Sequence, residues 1–227
     1  LDLLSNVYPT NFDDLRSRME TDQFLRVKAY AKANVQWYLE QKLTDLMRRV
    51  IGAKTHKDWF AIAEEKSRLD LLAIQNDIEL DTTEINSVFQ TYALEQFGKL
   101  SQAIDRDSPV LVSKAMDYMH EHSEKFVIIV MDGMSEFDWR ILSTSFNGIK
   151  YEQSAAFAMI PSTTSISRQC LLSNKYPSQL MEPWKQSKEK AEFIACAKSL
   201  GYTDTQIGYE RGYDANSGSF VRCGAVI

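Results

Sequence analysis

The sequence feature that most constrains the fold is a run of six apolar residues, Phe126 to Met131, followed by Asp132 and Gly133. The run is rich in β-branched residues and too short for a comfortable helix, so it predicts a buried strand in a parallel sheet. Ligands of open α/β sheets bind beyond the carboxyl ends of the strands, and a glycine there lets backbone approach closely. Asp132 is therefore a predicted site residue for a metal or a phosphate. The alternative is that Asp132 caps a helix starting near Ser135.

A second motif occupies Phe157 to Pro177. Its apolar stretch ends at Pro161, a cluster of hydroxyl residues follows at 162–165, and apolar residues then recur with helical spacing. This places the Thr164 hydroxyl at a helix start, where unpaired N–H groups and the helix dipole favour an anion or an alkoxide. Arg168 is four residues further on, hence on the same helical face and able to bind the same anion. Its alternative role is a structural pair with a carboxylate.

The two motifs together resemble the front half of the alkaline phosphatase superfamily, and more closely the PglZ domain. Members of the PglZ family carry similar segments, written DG(M/L)S and PS-x-T-x-x-x-R, and occur in BREX-type bacteriophage-defence systems. The resemblance covers about Phe126 to Pro177 well and the rest of the C-terminal half loosely. It implies an alkaline-phosphatase-like sheet domain and partnership with other phage-defence proteins.

The resemblance also assigns roles to single residues. Asp132 matches the first metal-binding aspartate, and Thr164 matches the nucleophile that also binds metal, with Thr163 as the alternative. Arg168 would act beside them on the phosphate. The implied chemistry is attack of a metal-activated threonine on a phosphoester through a covalent phospho-enzyme, with zinc as the expected divalent metal. Candidate substrates are phosphodiesters, including nucleic acid.

The set of metal ligands is incomplete in the sequence. The superfamily takes further aspartates and histidines from downstream of the nucleophile, whereas all three histidines, His56, His120 and His122, precede Asp132. Two ligands do not make a zinc site, which takes about four. The last residues, Phe220 to Ile227, have the pattern of a strand cut in its middle. We therefore expect the chain to be a fragment of a longer enzyme, and to be inactive by itself.

Composition excludes several other classes. The net charge of −5 and the sequence pI near 5.3 give no global attraction to nucleic acid. The three cysteines, Cys170, Cys196 and Cys223, have no close spacing and indicate neither a disulfide framework nor a zinc knuckle. No leader pattern or apolar stretch of about 18 residues occurs, which predicts a cytoplasmic protein without a membrane partner.

The pattern changes near Ser123 and predicts two domains. Residues 1–122 read as helical throughout, with a helix starting at Thr55 opposite Asp58, another from about Thr82 to Leu100, and one at Ser108. Residues 123–227 alternate strand-like and helix-like stretches, so we expect the N-terminal portion of a PglZ-like α/β domain with a parallel sheet. A long segment before the helix at Thr55 has helical spacing and stops at Gly52. Its apolar stripe consists of Phe24, Val27, Ala31, Val35, Tyr38, Leu46 and Val50.

Three functions fit these patterns. The first is a metal-dependent phosphoesterase that uses Thr164. The second is a non-catalytic assembly module of a phage-defence complex, and the third is a phosphate or nucleotide sensor at the helix start. The lysine-rich stretch from Lys185 to Lys198, which also holds Glu189 and Glu192, is interpreted as a solvated helix face.

Overall fold

A computed structural model describes residues 20–211, so the strand predicted at Phe220 to Ile227 lies outside the described residues. The described residues fall into two units: one takes in residues 20–95 and 135–147, the other residues 96–134 and 148–211. The helices are α1 (Thr21–Gly52), α2 (His56–Gln75), α3 (Thr83–Leu100), α4 (Ala115–His122), α5 (Glu136–Ser143), α6 (Thr164–Leu171) and α7 (Glu189–Ser199), with 3₁₀ turns at Val112–Lys114, Pro177–Gln179 and Gln186–Lys188.

The first unit is built on helices that pack through one apolar face each. On α1 the predicted stripe is confirmed at Val35, Leu46 and Val50, but Tyr38 is exposed and Leu39 takes its place in the core. The side chains of the stripe residues before Val35 lie outside the described residues. Helix α2 contributes a second buried face. Its buried apolar residues are Trp59, Ile62, Leu69 and Ala73.

The starts of α2 and α5 have the same cap. Thr55 and Asp58 exchange side-chain and backbone hydrogen bonds, which confirms the predicted reciprocal cap of α2. Ser135 and Asp138 form the matching capping box of α5. Ser135 is thus the cap, and the alternative interpretation of Asp132 as a capping residue is wrong.

The predicted α/β fold is wrong for the described residues. Between residues 20 and 211 the chain forms helices and no strand. Phe126 to Met131 lies outside any helix or sheet, and its burial alternates with the period of two that an extended segment has. The strand-to-strand pairing found there is one isolated parallel bridge, Leu111 with Phe157. A strand needs a neighbour to satisfy its N–H and C=O groups, and these residues supply none beyond that bridge. The alkaline-phosphatase-like parallel sheet is therefore not formed by residues 20–211.

The helix predicted at Ser108 is also wrong, because that stretch makes the bridge instead. The Phe157 amide donates to the Val110 carbonyl at 2.9 Å, and the Val112 amide donates to the Phe157 carbonyl at 3.0 Å. Val110 and Leu111 are both fully buried, and the two hydrogen bonds to Phe157 hold this segment beside that residue. Helical structure starts only at Val112.

The extended segment from Phe126 to Met131 alternates strictly in burial. Phe126 is 6% exposed, and Ile128 and Val130 pack on the same core, whereas Ile129 is 70% exposed and its odd-numbered neighbours Val127 and Met131 are also exposed. Successive side chains of extended backbone point to opposite sides, so one side faces the core. The prediction of a segment buried on both faces is wrong.

This alternation predicts unequal costs of substitution. Phe126→Ala should lower the free energy of unfolding by about 3 kcal/mol or more, because it leaves a cavity in the core. Ile129→Thr should change that free energy by less than about 0.5 kcal/mol, because the side chain is mostly in solvent. Urea denaturation of both variants measures the difference, and equal costs would contradict the observed orientation of the segment.

The second unit has a core between α4, α6, α7 and the extended segment. Helix α7 ends before Gly201, whose φ of +98° lies in the left-handed region that favours glycine after a helix. The buried cluster of the second unit consists of Met116, Phe126, Leu172, Phe193, Cys196 and Ala197.

Within residues 20–211 no helix combines the length and the apolar character needed to cross a bilayer.

Candidate functional site

Asp132 lies in a tight turn at the end of the extended segment. The Met134 amide donates to the Met131 carbonyl at 3.4 Å, and Gly133 has a φ of +74°. A side chain at position 133 would be strained in that conformation, so the glycine serves the turn. The Asp132 side chain is 43% exposed. The turn thus presents a carboxylate to solvent.

Thr164 is the first residue of α6, and Thr163 is its cap residue. The amides of Ile166 and Ser167 both donate to the Thr163 carbonyl, while the Thr163 side chain makes no capping hydrogen bond. Thr164 is half-buried, and Arg168 follows one turn later. The structure therefore confirms the helix predicted after the hydroxyl cluster, with Thr164 in its first turn.

Arg168 connects the two sequence motifs. Its Nη2 donates a hydrogen bond of 2.6 Å to Oε1 of Glu189, and its Nη1 lies 3.9 Å from Oδ2 of Asp132. The first contact is a charge-assisted hydrogen bond, whereas the second is an ion pair beyond hydrogen-bond distance. The Arg168 side chain is 18% exposed. The structure thus brings Asp132 to the helix that begins at Thr164.

Glu189 and Tyr209 complete the cluster. Glu189, the first residue of α7, is only 2% exposed, and its Oε1 also accepts a hydrogen bond from the Tyr209 hydroxyl. Burial, with the Glu189 hydrogen bond second, raises the pKa of Tyr209 to about 12. The hydroxyl therefore stays protonated at neutral pH and donates. The bond to Glu189 likewise raises the pKa of the Arg168 guanidinium.

The cluster is not fully satisfied. Among the described residues, Nε of Arg168 and Oε2 of Glu189 are buried without a hydrogen-bond partner. Buried polar atoms of this kind are uncommon in native proteins, since each costs free energy.

The solvated-face interpretation of the lysine-rich stretch is wrong for its two glutamates. Glu189 and Glu192 are buried, and Glu192 pairs with Lys175 at 2.6 Å. The missed signal is their spacing, because Glu189, Glu192, Phe193 and Cys196 recur at three and four residues and share the inward face of α7. The charge composition of the stretch suggested a solvated face, whereas the helical positions of the two glutamates predict that they are buried.

Gln169, which follows Arg168 in α6, makes hydrogen bonds to the loop before α7. This side chain is fully buried, and its Nε2 donates to the Ser165 carbonyl at 2.7 Å and to the Pro183 carbonyl at 3.0 Å. It therefore connects α6 to the loop that precedes α7. Helix α6 carries Arg168 and helix α7 carries Glu189, so this connection lies directly beside the ion pair between the two residues.

The described residues do not fit a complete metal site. Between residues 20 and 211 no group of three or more histidine, cysteine, aspartate or glutamate side chains is arranged to hold a metal ion. Asp132 and Thr164 could supply two oxygens, and the charged group beside Asp132 is the cation Arg168. A zinc ion takes about four ligands. Any metal would have to draw its other ligands from outside these residues.

The two described cysteines are predicted to be inert. Cys170, on α6, and Cys196, on α7, are unpaired and buried, and burial raises the pKa of both thiols to about 11. These raised pKa values lower the thiolate fraction at neutral pH roughly a hundredfold compared with an ordinary thiol. Site-resolved mass spectrometry should find both unmodified by iodoacetamide in the native protein and alkylated after denaturation. Rapid native alkylation of Cys170 would contradict the packing of α6.

Chemically, the arrangement offers one anchored guanidinium beside an exposed carboxylate and a helix N-terminus. A guanidinium held by a single buried partner can bind a phosphate oxygen through its remaining N–H groups.

In comparisons with known proteins, the chain matches no protein-family model, no curated protein and no solved structure.

Proposed function

We propose that the chain carries the phosphate-binding part of a phosphoester hydrolase that resembles the PglZ domain in its two motifs. The observation that supports this is the approach of Arg168 Nη1 to Asp132 Oδ2, at 3.9 Å. It joins residues 36 positions apart, from the two motifs that carry the resemblance, at a partly exposed site. Arg168 does make a close structural pair with a carboxylate, its stated alternative role, but with Glu189 at 2.6 Å. The long contact leaves Nη1 without a hydrogen bond to Asp132.

In this proposal Arg168 binds the substrate phosphate. Its Nη1 contact to Asp132 is long, so a phosphate oxygen can take that position without breaking a hydrogen bond. The first turn of α6 adds the positive end of the helix dipole. Thr164 Oγ1 would attack phosphorus, forming an O–P bond as the P–O bond to the leaving group breaks. The proton of the Thr164 hydroxyl would end on the oxygen of the leaving group. Water would then cleave the bond between Thr164 and phosphorus, which releases a phosphomonoester and restores the hydroxyl.

The proposal includes a divalent metal, zinc by the resemblance, only if residues other than Asp132 and Thr164 supply additional ligands. When bound, such an ion would favour the alkoxide of threonine, which is a poor nucleophile at neutral pH. Asp132 and Thr164 would contribute two oxygens. We propose cytoplasmic phosphodiesters, including nucleic acid, as the substrate class.

Hydrolysis of a chromogenic phosphodiester tests the proposal. The natural polypeptide that contains residues 1–227, assayed with divalent metal, should turn the substrate over. Asp132→Asn removes a proposed metal ligand and Arg168→Gln removes the proposed phosphate-binding cation, so each should reduce kcat/KM in the presence of metal by about a hundredfold. Arg48→Gln is the matched control, because Arg48 makes an exposed pair with Asp45 in the first unit. Equal activity of all variants would reject the site.

A second candidate function is a non-catalytic assembly module that binds other phage-defence proteins. It is favoured by large apolar side chains exposed on the first unit, among them Trp37 and Ile51 on α1 and Ile74 on α2. Exposed apolar groups can serve protein interfaces. If the natural polypeptide neither binds divalent metal nor hydrolyses any phosphoester, this function replaces the first.

A further inference from the structure

Arg168 has two carboxylate neighbours that hold it unequally. Glu189 is buried and accepts from Nη2 at 2.6 Å, whereas Asp132 is partly exposed and lies 3.9 Å from Nη1. An ion pair is stronger where water is excluded, so Glu189 dominates the orientation of the guanidinium. The planar group has a fixed fork geometry, and anchoring Nη2 therefore also sets the direction of Nη1.

We infer that Glu189 is a positioning residue, which holds the Arg168 guanidinium so that Nη1 stays available to a phosphate oxygen. The inference rests on the proposed function. Without the charge of Glu189, the remaining carboxylate beside Arg168 is Asp132. The guanidinium would then close onto Asp132, and this contact would compete with phosphate for Nη1.

Tyr209 supports this role from a different element. Its hydroxyl donates to the same Oε1 that accepts from Arg168, so it fixes the Glu189 carboxylate from the second side. Its raised pKa keeps it a donor through neutral pH.

Calorimetric titration with inorganic phosphate, without metal, tests the positioning role. Glu189→Gln keeps the shape and removes the charge, and it should weaken phosphate binding by about tenfold. Glu192→Gln is the matched control: Glu192 is also buried on α7 and also forms a 2.6 Å ion pair, but with Lys175. This control should leave phosphate affinity unchanged.

The effect of Asp132→Asn on phosphate affinity distinguishes positioning by Glu189 from a purely structural role. A structural role predicts the same effect with and without the charge of Glu189. If Arg168 closes onto Asp132 when Glu189 is neutral, then Asp132→Asn should improve phosphate binding more in the Glu189→Gln background than in the wild type. If Glu189→Gln does not fold, Glu189→Asp takes its place, because the shorter carboxylate recedes from Nη2 while its charge remains. Circular dichroism identifies the folded variants.

The outcomes separate the two proposals. Phosphate binding that is lost in Arg168→Gln but unchanged in the folded Glu189 variant would overturn the positioning role alone. Equal effects of Asp132→Asn in both backgrounds would also overturn it. No saturable phosphate binding by the wild type would overturn the proposed function, and the inference with it.

Discussion

Replacing Arg168 by methionine should lower the free energy of unfolding by about 3–5 kcal/mol, because it leaves Glu189 as a buried charge without a cation. Tyr209 would remain as its one hydrogen-bond donor among the described residues. Urea denaturation followed by circular dichroism measures the change.

Two controls isolate the cause. Replacing Arg168 and Glu189 together by methionine should recover most of the loss, because a buried ion pair can be exchanged for apolar residues at little cost. Arg48→Met removes an exposed arginine that pairs with Asp45 at 2.7 Å, and it should cost about 1 kcal/mol or less. A cost below about 1 kcal/mol for Arg168→Met would show that the Glu189 site is not closed to water.

Thr164→Ala should reduce phosphodiester hydrolysis by the natural polypeptide about a thousandfold or more. The substitution removes the proposed nucleophile, and losses of that size are usual when a covalent catalyst loses its attacking atom. Initial rates under substrate saturation measure the effect.

Thr163→Ala is the matched control, because Thr163 is adjacent, carries the same hydroxyl and makes no capping hydrogen bond through it. It should retain nearly full activity. If Thr163→Ala is inactive and Thr164→Ala is active, the alternative nucleophile is correct. Full turnover by both variants would exclude a threonine nucleophile in this segment.

The helices were predictable because their signals are local. The cap of α2 needs only Thr55 and Asp58, and the end of α7 needs only Gly201, since capping bonds and glycine conformations depend on residues a few positions apart. Thr164 and Arg168 share a face of α6 for the same reason. These parts of the site follow from spacing within one helix.

Whether Phe126 to Met131 joins a sheet was not predictable in this way, because strand pairing depends on residues that are distant in the sequence. Six apolar residues predict burial, and they do not distinguish a strand from an extended segment that packs one side on helices. Phe126 and Ile129 show that outcome, the first buried and the second exposed. The partnership of Arg168 with Glu189, 21 residues apart, is likewise tertiary.

The most direct test is to trap the intermediate. The natural polypeptide is mixed with a phosphodiester and divalent metal, quenched in acid during turnover, digested and analysed by mass spectrometry. The predicted result is a phosphoryl group, still carrying one ester, on Thr164 in the wild type and in Thr163→Ala. Turnover without any modification of Thr164, or with the phosphoryl group on another residue, would contradict the assignment of Thr164 as the nucleophile.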